Sequence, residues 1–237
     1  MNSELENIFM QVQKPGRYTG GEYGQIIKDK EKVKARFAFC FPDSYEIGMS
    51  NLGVRILYGA LNREDDIWCE RVYAPWVDME EKMREHKIPL WAHESGDPIS
   101  QFDFIGFTLQ YEMSYTNILN MLDLAGLPLR AADRTDDMPL VIGGGPCSYN
   151  AEPVADFFDL FNIGEGEEML PEIVRLYIKM KDDGSYTREA FLHEAARSIE
   201  GVYVPSLYDV TYNDDGTVKA YTPKYPDVPK TVRKRIV

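Results

Sequence analysis

Four short segments hold most of the residues that could do chemistry: PDSYEIG over 42–48, QYEMSY over 110–115, GGGPCSYN over 143–150 and GEGEE over 164–168. The carboxylates form two close pairs, Asp43 with Glu46 and Glu165 with Glu167, of a kind that general acid–base work could use. Neither pair has a nucleophile with a base beside it, so no catalytic residue is assigned, and a stand-alone small-molecule enzyme ranks last. The glycines point to binding instead. Without a Cβ, Gly143, Gly144 and Gly145 let the backbone approach a flat or bulky ligand, and helix amides beside them could take a phosphate. The nicotinamide fingerprint is missing, because Gly164-Glu165-Gly166 lacks a third glycine and follows the wrong strand. There is no G-x-x-x-x-G-K-[ST] segment, and PDSYEIGMS is too acidic and bulky for a flavin mononucleotide phosphate loop. Cys40, Cys69 and Cys147 lie too far apart for a local zinc or iron–sulfur motif, so no metal ligand is assigned either.

These segments matter because of what precedes each one. RFAFCF, FDFIGFTL, MPLVIGGG and DLFNIG read as strands, and a fifth, IWCERVYAPW, breaks at Pro75. IPLW reads as a further short strand. Helical patterns alternate with them over 51–61, 77–86, SYTNILNMLDLAG closed by Gly126, and a short stretch over 152–158. In EEMLPEIVRLYIKMK, Pro171 suits the first turn of a helix starting near Glu168. Several strands are continuously apolar, the mark of a parallel sheet covered on both faces. The expected fold is therefore α/β: a doubly wound, flavodoxin-like or Rossmann-like, mostly parallel sheet of about five strands. Residues 34–185 form that domain, and its four chemistry-bearing exits meet along one rim. Residues 1–33 form an arm, with the glycine-rich KPGRYTGGEYG either packed across the domain or placed near a ligand or partner. Residues 186–237 supply a helix, a hairpin turning at NDDG, and a linker.

The residues resemble those of cobalamin-binding domains. Asp43-Ser44-Tyr45-Glu-Ile-Gly48 is similar to their D-x-H-x-x-G loop, at the same place between first strand and first helix. Thr108-Leu109 resembles their S-x-L segment, and Gly143-Gly144-Gly145 their glycine pair. VIGGGP with EPVADFFDLFNIGEGEE resembles the N-terminal domain of cobalamin-type radical SAM proteins, and PGRYTGGEYG, FPDSYEIGMSNLG and IEGVYVPS narrow this to an uncharacterised subfamily. The resemblance implies that Asp43, Ser44, Tyr45 and Gly48 shape a loop under the corrin, and that Thr108 and Gly143 to Gly145 line the slot for the nucleotide tail. Glu165 and Glu167, which flank the cofactor-site glycine Gly166 after the last core strand, either hold polar cofactor groups or cap the helix starting near Glu168. The family's cobalt-ligating histidine is replaced by Tyr45, a poor ligand at neutral pH, and none of His86, His93 and His193 falls in that loop. Cobalamin is therefore expected without a protein histidine on cobalt. The alternative is the same fold without cofactor, acting as a docking or substrate-recognition domain.

The radical chemistry itself needs a C-x-x-x-C-x-x-C loop, which the three cysteines do not supply. By resemblance, the [4Fe–4S] cluster and S-adenosylmethionine belong to a downstream radical SAM domain of the same polypeptide, with KTVRKRIV leading into it. The formal net charge of −13 argues against direct nucleic-acid binding. Sparse cysteines argue for the cytoplasm, and no run approaches the roughly 18 apolar residues of a membrane span.

Overall fold

The computed structural model describes residues 7–236; the first six residues of the expected arm and Val237 lie outside that range. The chain forms β1 (Ala35–Phe41), α1 (Tyr45–Ser50), α2 (Leu52–Asn62), β2 (Ile67–Tyr73), α3 (Val77–His86), β3 (Phe104–Thr108) and α4 (Tyr115–Leu124). Then follow β4 (Leu140–Gly144), β5 (Leu160–Asn162), α5 (Gly166–Asp182), α6 (Arg188–Ser198), β6 (Val202–Tyr203), and the hairpin β7 (Tyr208–Tyr212) and β8 (Val218–Pro223). The main sheet runs β2-β1-β3-β4-β5-β6. The first five of these strands are parallel, and β6 runs antiparallel to β5. This is the mostly parallel α/β sheet that the continuous apolar strands imply.

Side-chain alternation sorts the core into two layers. Phe37, Phe39 and Phe41 point to the face covered by α2, α5 and α6, where they meet Val54, Leu61, Ile173 and Phe191. Ala38 and Cys40 point to the other face, under Met79 and Met83 of α3 and Ile118 and Met121 of α4. Both faces are apolar, which is why β1 is apolar at every position from Phe37 to Phe41.

Two expectations are corrected. IPLW is not a strand: Trp91 makes a single antiparallel bridge to Pro98, because the segment folds back on itself through Ala92 N–H to Asp97 O, while β3 takes the place beside β1. The helix expected near Glu168 begins at Gly166, which puts Pro171 inside it rather than in its first turn. The expected sheet of about five strands is present, and Val202–Tyr203 adds a sixth at its edge. With α6 packed in the same core, the segment through Val204 continues the sheet-and-helix layers, and β7–β8 is a separate two-stranded sheet.

Two polar devices hold this frame. At the amino ends of β4 and β5, the buried Asp159 carboxylate accepts from Arg134 Nη1 (3.0 Å), Arg188 Nε (2.9 Å), Arg188 Nη2 (2.7 Å) and the Val141 amide (2.7 Å). The arm is tied down by Lys28, whose ammonium donates to the carbonyls of Asn62, Glu64 and Ile67, between the end of α2 and the start of β2. Tyr58 Oη accepts from the Ile26 amide (2.7 Å).

Candidate functional site

The parallel registers bring the carboxyl ends of β1, β3, β4 and β5 into line. The chain passes from β1 outward to β2, then back across to β3, which makes the β1/β3 boundary the switch point where such sheets bind ligands. A pocket of about 250 Å³ opens there. Its floor is the sheet, with Phe37, Phe39, Gly106 and Ile142, and its roof is Gly53 and Leu57 of α2 with Gly166 and Leu170 of α5. Thr108, Gln110, Gly144, Gly145, Asn162 and Glu165 complete the polar side.

Glycine makes the space. A Cβ on Gly144 would meet nothing nearer than the Asn162 Cβ at 3.5 Å and would project into the pocket. Gly145 has φ of 97°, a left-handed conformation, and a Cβ there would crowd Thr108 Oγ1 at 3.1 Å. Gln110 Nε2 donates to the Thr108 hydroxyl and so fixes the polar edge.

Of the ten residues expected at a cofactor site, Thr108, Gly144, Gly145, Glu165 and Gly166 line this pocket. Gly143 faces the other side of the sheet, where a Cβ would lie 2.7 Å from the Phe161 ring. Asp43, Ser44, Tyr45 and Gly48 sit beside the pocket rather than in it. The Asp43 carboxylate accepts from the Ser44 amide (2.7 Å), and the Asp43 carbonyl accepts from Ala74 (3.0 Å), tying the exit of β1 to that of β2. Gly48 packs so closely that a Cβ would overlap the Tyr73 ring. Gly53, Gly106, Gln110 and Asn162 are pocket residues that sequence reasoning passed over. Gly106 had a signal: a glycine inside an apolar strand marks close approach.

Tyr45 turns away from the rim. Its hydroxyl donates to the Glu22 carboxylate of the arm, and its ring stacks on His93 at 5.8 Å and meets Tyr73 edge-on at 5.5 Å. Burial and Glu22 push the phenol up to about 12, so it is neutral. His93 was set aside because it is distant in sequence, yet folding packs it against this loop. Burial, aided by the Arg71 charge, lowers the imidazole to about 4, and its sealed Nδ1 has no hydrogen-bond partner. Glu46, one residue on from Tyr45, is held at about 2, first by Arg17 and then by its own amide and Lys14. The arm therefore grips the loop through Glu22, Arg17 and Lys14.

The last described residues run along the pocket's far lip. Arg235 pairs in parallel with Gly164, donating its amide to Ile163 O (3.0 Å) and accepting from the Glu165 amide (3.2 Å). Its guanidinium binds Glu168 (3.2 Å) and Glu172 (2.7 Å) on α5. After the exits of β1 and β3, Leu52 and Met113 are exposed. Among the described residues, no group of three or more His, Cys, Asp or Glu could hold a metal ion, and no helix is long and apolar enough to cross a membrane.

Residues 53–205 match the family described as "Radical SAM proteins, N-terminal". The chain is also 26% identical over 146 residues to an uncharacterized protein of Methanocaldococcus jannaschii. That alignment covers 60% of this chain and 27% of the archaeal protein, so the shared region is a minor part of the longer polypeptide. No solved structure matches.

Proposed function

This chain belongs to the family of radical SAM proteins, N-terminal, and on that premise we propose that it binds a cofactor of cobalamin type and presents it to a radical SAM domain of the same polypeptide. The observation that carries this reading is the glycine-walled pocket at the switch point of a β2-β1-β3-β4-β5 sheet. Its volume of about 250 Å³ falls just below the ~300–1,000 Å³ range of whole-ligand sites. That suits a planar side group, the cofactor's nucleotide tail, with the corrin lying on the rim outside.

Each residue then has a part. Gly144, Gly145 and Gly166 let the tail enter between sheet and helices, and Thr108, held by Gln110, offers its hydroxyl at the edge. Asp43 and Ser44 fix the loop beneath the corrin. Tyr45 leaves cobalt without a protein ligand, because its neutral phenol is committed to Glu22. Gly164 and Glu165 carry the strand of linker that leads toward the downstream domain. When bound, the cofactor supplies the organometallic chemistry, while this chain binds and orients it. The [4Fe–4S] cluster and S-adenosylmethionine lie with the radical SAM domain. A second reading, docking without cofactor, is favoured by the exposed Leu52 and Met113, which follow the exits of β1 and β3.

The two readings separate in a visible-absorption titration of the purified chain with hydroxocobalamin and with cobinamide, which lacks the nucleotide tail. Cofactor binding predicts a saturable spectral change with cobalamin and affinity at least about tenfold lower for cobinamide, or ~1.4 kcal/mol. Gly144→Leu, checked as folded by circular dichroism, abolishes the preference by filling the pocket. The bound cob(II)alamin shows no nitrogen superhyperfine splitting in its electron paramagnetic resonance spectrum. Absence of any spectral change at high micromolar cobalamin would refute the reading.

A further inference from the structure

A second pocket, of about 440 Å³, lies on the other side of the 145–148 and 162–164 segments, between the main sheet and the β7–β8 hairpin. Four tyrosines converge on it from four places in the chain: Tyr149 after β4, Tyr203 on β6, Tyr208 at the start of β7 and Tyr221 on β8. Tyr203 and Tyr208 are 5.2 Å apart between ring centres, and Phe161 backs Tyr203. Tyr208 is anchored by a 2.7 Å hydrogen bond to Pro229 O, which fixes the linker as one wall. Tyr149 and Tyr221 are 57% and 43% exposed, and neither has a ring partner among the described residues. Packing alone therefore does not account for them.

The pocket contains one carboxylate. Glu152 Oε1 accepts from the Tyr203 hydroxyl at 2.5 Å, which holds the side chain in place. Among the described residues no cation is within ion-pair distance of Glu152. Lys230, on the linker, lines the same pocket and likewise makes no ion pair. A carboxylate held in place and outside any ion pair, in a pocket that four tyrosines line, is complementary to a positive charge: the carboxylate supplies a charged hydrogen-bond acceptor, and a tyrosine ring attracts a cation that comes over its face within about 6 Å. The volume lies within the ~300–1,000 Å³ range of small-molecule sites.

We propose that this pocket binds the ammonium end of a small ligand on Glu152 and the surrounding tyrosines, with Lys230 meeting an anionic group at the ligand's other end. The ligand class is thus a small zwitterion with an apolar body, as in a free amino acid. The proposal stands independently of cobalamin binding, since it uses none of the residues of the first pocket.

Isothermal titration of the chain with phenylalanine, phenethylamine and 3-phenylpropionate tests it. The amine and the zwitterion bind saturably, the zwitterion more tightly, and the carboxylate alone does not bind. Glu152→Gln weakens both amine-bearing ligands by about tenfold or more, whereas Lys230→Met weakens only phenylalanine. Tyr221→Phe retains binding and Tyr221→Ala reduces it, with circular dichroism confirming that each variant is folded. Equal binding of 3-phenylpropionate, no binding of either amine-bearing ligand, or unchanged affinities in Glu152→Gln would overturn the proposal.

Discussion

Replacing His93 with Phe should flatten the acid side of the protein's stability profile. The imidazole stacks on Tyr45 and meets Tyr73 edge-on at 4.9 Å, contacts that a phenyl ring keeps. Its Nδ1 is buried without a partner, so the substitution removes no hydrogen bond there. In the folded protein the group is depressed from 6.5 to about 4, chiefly by burial and then by Arg71. A depressed folded value means that the unfolded chain binds the proton first. The stability from a neutral His93 is therefore complete above pH 6.5 and is lost as the pH falls toward 4. Each pH unit crossed within that window costs about 1.4 kcal/mol, so by pH 5 the wild type loses about 2 kcal/mol relative to His93→Phe. Buried Glu94, bonded to Arg71 at 2.6 Å, is raised by burial and contributes with the opposite sign. Glu94 is present in both proteins, so the difference between their profiles isolates His93. Urea unfolding at pH 8, 6.5, 5.5 and 5 measures that difference. Parallel profiles across the range would refute the reasoning, because they would mean that the imidazole titrates freely in the folded state.

Other positions give sharper structural tests. Gly106→Ala places a Cβ 2.5 Å from the Phe37 ring, which is itself fully buried against Phe104, so thermal or urea unfolding should report a loss of about 1–3 kcal/mol. Asp159→Ala leaves the buried guanidiniums of Arg134 and Arg188 without their shared carboxylate, and chemical denaturation should show about 3–5 kcal/mol of destabilisation.

The strands and most helices were legible because their signals are local. β1 is apolar at every position except Arg36, and Thr187 accepts from the Ala190 amide as the cap that starts α6. The four strand exits could be placed on one rim because parallel strands with right-handed crossovers admit few other arrangements. β6 could not be read from two residues, since a two-residue strand exists only where an edge is free to receive it. IPLW failed for the converse reason: its apolar character is spent in a loop under α3 and α4.

The same division runs through the site. Glycine type and position announced a close approach at Gly144 and Gly145, because only a missing Cβ leaves that space. The direction each glycine faces was settled by strand pleat, which turned Gly143 to the opposite side of the sheet. Tyr45 was visible as a departure from a histidine motif, but its partner Glu22 and its neighbour His93 lie 23 and 48 residues away along the chain. The residues themselves thus determined the layered α/β frame and the rim, which follow from periodicity and covalent geometry. Only the tertiary structure decided which side chains face the pocket and what charge they carry there, because burial and through-space contacts have no local code.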